Sequence, residues 1–167
     1  MTKKILVVDD EQSIRESLSK VLRAEGYDVV LAQDGREAID RLLEGAVDLI
    51  LLDLGLPVKD GWVTLSWLTE VNPDFPVIVI TGLWKQAGMA AAAGADMLME
   101  KPLDVPRLLQ NIHELLEEPA EVRALRIRDR RRNFRRVACD PQLFRDHVNQ
   151  AYSTPYRFDE WRGQKSK

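Results

Sequence analysis

A single cysteine, Cys139, stands in 167 residues, which excludes an internal disulfide framework and any cysteine-based zinc site. No uninterrupted apolar run approaches the ~20 residues that a membrane helix needs. The opening Met1, Thr2, Lys3 and Lys4 lead straight into a short apolar run and two aspartates. That pattern lacks the long apolar stretch and small-residue cleavage site of a signal peptide. No internal repeat is visible. The expectation is a soluble, cytoplasmic protein without membrane association.

What is present argues for a packed domain with an appendage. The chain is 45% hydrophobic and 31% charged, enough apolar material for a core, and its length suits one domain plus an extension. The net charge of −3 hides a division: residues 1–119 hold 11 Lys+Arg against 21 Asp+Glu, whereas residues 120–167 hold 13 against 6. Such asymmetry points to an acidic globular part, residues 1–118, followed by a basic extension, residues 119–167.

Along the acidic part, short apolar runs alternate with segments of helical period. The runs are Ile5 to Val8, Tyr27 to Leu31, Leu49 to Leu52, Val77 to Ile80 and a weaker Met97 to Met99. Three of them are apolar throughout, as strands covered on both faces of a parallel sheet are. Ser13 with Glu16 has capping-box spacing, and Gly26 stands where that helix would stop. Asp34 with Glu37 opens a second helix that ends at Gly45; Gly61 to Val71 reads as a third and the alanine-rich Ala87 to Ala93 as a fourth. Asp104 caps a fifth, with Leu108, Leu109, Ile112, Leu115 and Leu116 at helical spacing. Five βα units predict an α/β fold with a doubly wound five-stranded parallel sheet.

In such a sheet, functional groups gather beyond the carboxyl ends of the strands. Those ends carry Asp9 and Asp10, then Asp53, Thr81, and Glu100–Lys101–Pro102. Carboxylates crowded together stay ionised only if a cation joins them, and an all-oxygen set suits a hard ion such as Mg2+. Beside metal and ammonium, a carboxylate can attack a phosphorus centre, because the charge on the phosphoryl oxygens is neutralised. The predicted product is an acyl phosphate on Asp53, with the Thr81 hydroxyl donating to a phosphoryl oxygen.

The segments ILVVDDE, DLILLDLGLPVKDG, VIVITG and MEKPL, in this order over residues 3–118, resemble a response-regulator receiver domain of two-component signalling, a (βα)5 flavodoxin-like fold. The resemblance implies Asp53 as phosphoacceptor, Asp9 and Asp10 as the acidic metal pair, and Gly55 as a backbone-carbonyl metal ligand. It also implies Thr81 as the switch hydroxyl, Lys101 as the phosphoryl-binding ammonium and a cis peptide before Pro102. The expected donor is a sensor histidine kinase or a phosphotransfer protein, and no turnover is expected beyond self-phosphorylation and dephosphorylation. His113 and His147 stand in no recognisable kinase phosphoacceptor motif and are read as helix-surface residues. A degenerate receiver serving only as a scaffold is the alternative within the same fold.

Three departures from the family pattern stand out. Leu98 replaces the usual aromatic three residues before the lysine, the Thr81–Lys101 segment is about two residues short, and neither Gly55 nor Leu83 can orient water. Trp84 is a candidate to supply the missing aromatic surface. In the extension, Arg123 to Arg136 holds eight arginines and reads as a continuing polar helix. Asp140–Pro141 starts another, with Phe144 and Tyr152 along one face, and the last segment, with Tyr156, Phe158 and Trp161, has no clear period; in an interaction arm these five aromatics would be the anchors. Three readings of this partly helical arm stay open: a nucleic-acid contact as the output of a transcriptional regulator, an arm packed on its own domain or on a second copy as a homodimer, and a solvated extension. Because Gly55 and Leu83 cannot position water, the phosphoryl group is predicted to persist; its loss within seconds from purified protein in Mg2+, followed by intact mass, would contradict this.

Overall fold

The computed structural model describes residues 2–56, 61–72, 74–82, 90–91, 93–129 and 135–137. Six strands, β1 (Lys4–Val8), β2 (Asp28–Ala32), β3 (Leu49–Asp53), β4 (Val77–Thr81), β5 (Met97–Glu100) and β6 (Arg135–Val137), form one sheet in the order β2-β1-β3-β4-β5-β6. Every pairing is parallel. Among the described residues, helices are α1 (Gln12–Ala24), α2 (Gly35–Glu44), α3 (Gly61–Val71), α4 (Val105–Leu116) and α5 (Ala120–Arg128). The five-stranded, doubly wound core is as expected. The sixth strand was not anticipated.

The all-apolar strands are buried on both faces because alternate residues feed two separate clusters. On one face Ile5, Val7, Leu49, Leu51, Ile78, Ile80, Met97 and Met99 pack with Leu18 and Leu22 of α1 and with Leu108, Ile112, Leu115 and Leu116 of α4. On the other, Leu6, Val8, Ile50, Leu52, Val77, Val79 and Leu98 pack with Ala38 of α2 and Leu65 and Leu68 of α3. This two-sided covering is what period-two alternation of wholly apolar runs requires. Leu98, in the position where an aromatic was expected, is fully buried in the second cluster.

The helix boundaries follow local chemistry with one correction. Asp34 accepts from the Glu37 amide at 2.8 Å while Glu37 Oε2 accepts from the Gln33 amide at 3.0 Å, opening α2 as predicted. Asp104 accepts from the Arg107 amide at 3.1 Å, and Pro106 lies in the first turn of α4. Ser13 does not cap α1. That helix begins two residues earlier than such a cap would set it, after Glu11 in extended conformation and without a side-chain cap, and Ser13 Oγ instead donates to Glu11 Oε1 at 2.5 Å. Gly26 follows α1 at φ +86°, the left-handed geometry that glycine adopts freely.

The arginine-rich stretch does not continue as one helix. α5 ends at Arg128, and Arg135–Val137 pairs in register with Met97, Leu98 and Met99. The pairing supplies the outer edge of β5 with partners that a bare edge strand would lack. Leu83, Trp84 and most of the predicted fourth helix lie outside the described residues, as do Cys139, His147, the predicted helix after Asp140 and the aromatic anchors.

α3 starts pressed against the end of β3. A Cβ on Gly61 would lie 2.5 Å from Leu54 Cα and 2.8 Å from the Asp53 carbonyl oxygen, both backbone atoms that cannot yield cheaply. Gly61→Ala is therefore expected to lower stability by about 1–3 kcal/mol, as overpacking does. Gly45→Ala, at an extended glycine with open space around it, should change it by less than about 0.5 kcal/mol. Urea denaturation of the two variants checks this, and equal losses would contradict it.

Candidate functional site

β1 and β3 are neighbours that run in the same direction, so their carboxyl ends open side by side where the chain order reverses. Asp9 follows β1 and Asp53 ends β3. Both are buried, at 2% and 6% exposure, while Asp10 is exposed. Thr81 ends β4, buried, in register with Glu100 of β5. The Lys101 amide donates to the Thr81 carbonyl at 2.9 Å, which brings the lysine to the same rim. The peptide between Lys101 and Pro102 is cis, as expected.

The side chains converge. Lys101 Nζ donates to Asp53 Oδ2 at 2.7 Å and to Asp9 Oδ2 at 3.2 Å. The second oxygens are held by backbone: the Gly55 amide donates to Asp53 Oδ1 at 2.8 Å and the Glu11 amide to Asp9 Oδ1 at 2.9 Å. Both are Asx-type turns that fix a strand-end aspartate without a partner helix. One oxygen from each of Asp9, Asp10 and Asp53 lies within 4.8 Å of the others. Arg15, not singled out in the sequence, donates from Nη1 to the Asp9 carbonyl at 2.6 Å and ties the first turns of α1 to the loop. A basic residue five or six positions after an acidic pair is the only signal that pointed to it, and it is a weak one.

The electrostatics of the cluster are unbalanced. Burial raises the Asp9 carboxyl above its ordinary value near 3.8; Lys101 and the Glu11 amide pull it down, and the Asp53 charge pushes it up again. For Lys101, burial works against the charged form, but the Asp53 and Asp9 carboxylates outweigh it and hold the ammonium above its ordinary 10.5. Three carboxylates against one ammonium leave a formal deficit of about two charges. A hard divalent cation with all-oxygen ligands fits both the deficit and the donor set.

The family model for the response regulator receiver domain matches residues 5–113. The response regulator MprA of Mycolicibacterium vanbaalenii is 39% identical over 118 residues, covering 70% of this chain and 51% of that protein. MprA of Mycobacterium tuberculosis is 37% identical over 136 residues, covering 77% and 59%. The chain thus spans between half and three fifths of the length of these relatives. Among solved structures, a CheY-like receiver domain protein from Methanospirillum hungatei superposes with a TM-score of 0.68 at 32% identity, covering 71% of this chain and 96% of that one. TrrA from Thermotoga maritima, solved in complex with Mg2+-BeF, superposes at 0.65 with 31% identity, covering 69% and 100%.

The pKa directions set the sign of a stability test. Lys101 is raised, so its contribution is complete below 10.5 and is lost only above its folded value. Asp9 is raised, so the folded state binds the proton more readily and its ionisation costs stability as pH climbs from about 3.8 through the folded value. Lys101→Met strands the two buried carboxylates and should cost about 2–4 kcal/mol at about pH 7.5, and less at about pH 4.5, because acid favours the protonated form of the raised Asp9 carboxyl. Urea titration at both pH values measures this; an equal loss at both would contradict it.

Proposed function

The chain belongs to the response-regulator receiver family, and from that premise we propose that it accepts a phosphoryl group on Asp53 from a histidine kinase or phosphotransfer protein. The observation that carries the reading is the Lys101 ammonium set between Asp53 and Asp9, with Asp10 alongside. A carboxylate so placed is desolvated, oriented by the Gly55 amide and within reach of cationic help.

In the transfer, an Asp53 oxygen forms a bond to phosphorus as the phosphorus–nitrogen bond of the donor phosphohistidine breaks, and the imidazole nitrogen leaves with the bond pair. Lys101 pairs with the arriving phosphoryl oxygens, and the Thr81 hydroxyl donates to one of them. Asp9, Asp10, Asp53 and the Gly55 carbonyl are the groups that would hold Mg2+. When bound, the ion supplies positive charge against the phosphoryl oxygens, which is the main help such a transfer needs. The cycle ends when water attacks phosphorus and the bond to Asp53 breaks, giving back carboxylate and inorganic phosphate.

The consequence is a shift between two conformations that changes partner binding or self-association, with no other substrate turned over. No helix among the described residues is long and apolar enough to cross a membrane; the cytoplasmic setting of the transfer is taken from the family. The nucleic-acid reading of the arm finds less support in this region. Arg126 and Arg135 are both engaged by carboxylates of the chain itself.

Incubation with acetyl phosphate and Mg2+ should add one phosphoryl mass to the wild-type chain and none to Asp53→Asn. Chelation of the metal should abolish the addition. A modified Asp53→Asn chain, or a wild type that stays unmodified, would overturn the assignment.

A further inference from the structure

A second charged cluster lies at the far end of β5. Asp96, 3% exposed, precedes that strand, and three elements meet on it. Its Oδ2 accepts from the Val77 amide at the start of β4 at 2.9 Å, and its carbonyl accepts from the Arg135 amide of β6 at 3.2 Å. Its Oδ1 accepts from Arg126 Nη1 of α5. Arg126 is itself buried, and its Nε donates to Glu118 Oε2 at 2.8 Å. Arg135 also pairs with Glu114 of α4 at 2.7 Å, at the surface.

This attachment is shallow. β6 contributes three residues, Val122 and Leu125 of α5 are about half exposed, and Arg126 Nη2 is buried with no hydrogen-bond partner. A cleft of about 580 Å³ separates α5 from α4. Ion pairs and a few strand rungs therefore hold α5 and β6 in place, and α5 itself adds little apolar burial to them. Segments with few buried apolar contacts open at low cost.

The attachment also shares a strand with the phosphoryl site. β5 is four residues long, with Asp96 before it and Lys101 after it, and the Lys101 amide is bonded to the Thr81 carbonyl. About 16 Å of extended chain at ~3.3 Å per residue joins the two clusters. In the unmodified state Lys101 is drawn to Asp53 and Asp9, and β5 has the register that seats β6. Lys101, which the phosphoryl reading gives to the modified Asp53, thus stands directly after the strand that Asp96 precedes.

We propose that α5 and β6 form a releasable strap, clamped by Arg126 on Asp96, that covers the edge of β5 while Asp53 is unmodified and leaves it when Asp53 is phosphorylated. The inference rests on the phosphoryl reading of Asp53. Coupling of this kind is reciprocal: a weakened strap must favour the modified state by the same factor.

The test is hydrogen exchange of the full chain with and without Mg2+ and beryllofluoride, with bound fluoride followed by 19F NMR. Amides of β6 should exchange about tenfold faster or more when beryllofluoride is bound, while those of β1 and β3 do not. Arg126→Gln and, as an independent lesion, Arg135→Pro, which removes the amide donated to Asp96, should each tighten beryllofluoride binding by about fivefold or more. Bound fluoride with unchanged or increased protection of β6, or unchanged affinity in both variants, overturns the strap alone. Absence of bound fluoride overturns the phosphoryl reading and the strap with it.

Discussion

The Lys101 ammonium between Asp53 and Asp9 is the contact on which the rest of the structure turns. Two carboxylates buried at adjacent strand ends would repel each other without it. It is delivered from β5, two strands away from β3, so the sheet must be complete and in register for the site to exist. The wholly apolar strands secure that register by feeding two cores at once. Slippage by one residue would exchange the contents of both. The charge deficit left at the rim is what suits the site to a cation rather than to a finished salt bridge.

Most of this was legible because its causes are local. Apolar runs of strand length mark β1, β3 and β4, and the aspartates and threonine follow them at once; Lys101 comes after the weaker run of β5, beyond Glu100. The caps at Asp34 and Asp104 lie within three residues of the amides they serve. The error at Ser13 is instructive: the spacing to Glu16 suited a capping box, yet Glu11 occupies the cap and the serine turns to its carboxylate.

What stayed hidden has no local signature. Arg135 to Val137 shows neither alternation nor an apolar run, and it becomes a strand because β5 offers an open edge. Arg126 falls on a polar helix with no apolar stripe, where periodicity reads an arginine as solvated. Its burial follows from Asp96, thirty residues away in sequence. Arg15 likewise acts on a backbone carbonyl that sequence spacing does not display. A basic extension joined to an acidic domain is thus partly an internal contact, and the charge division read from composition is its coarse trace.

The central claim is that Asp53 is the nucleophile. Borohydride reduction after acetyl phosphate treatment in Mg2+ converts an acyl phosphate into homoserine at the modified position, and peptide fragmentation locates it. The account predicts homoserine at position 53; homoserine at Asp9 or Asp10 instead, with Asp53 intact, would contradict it.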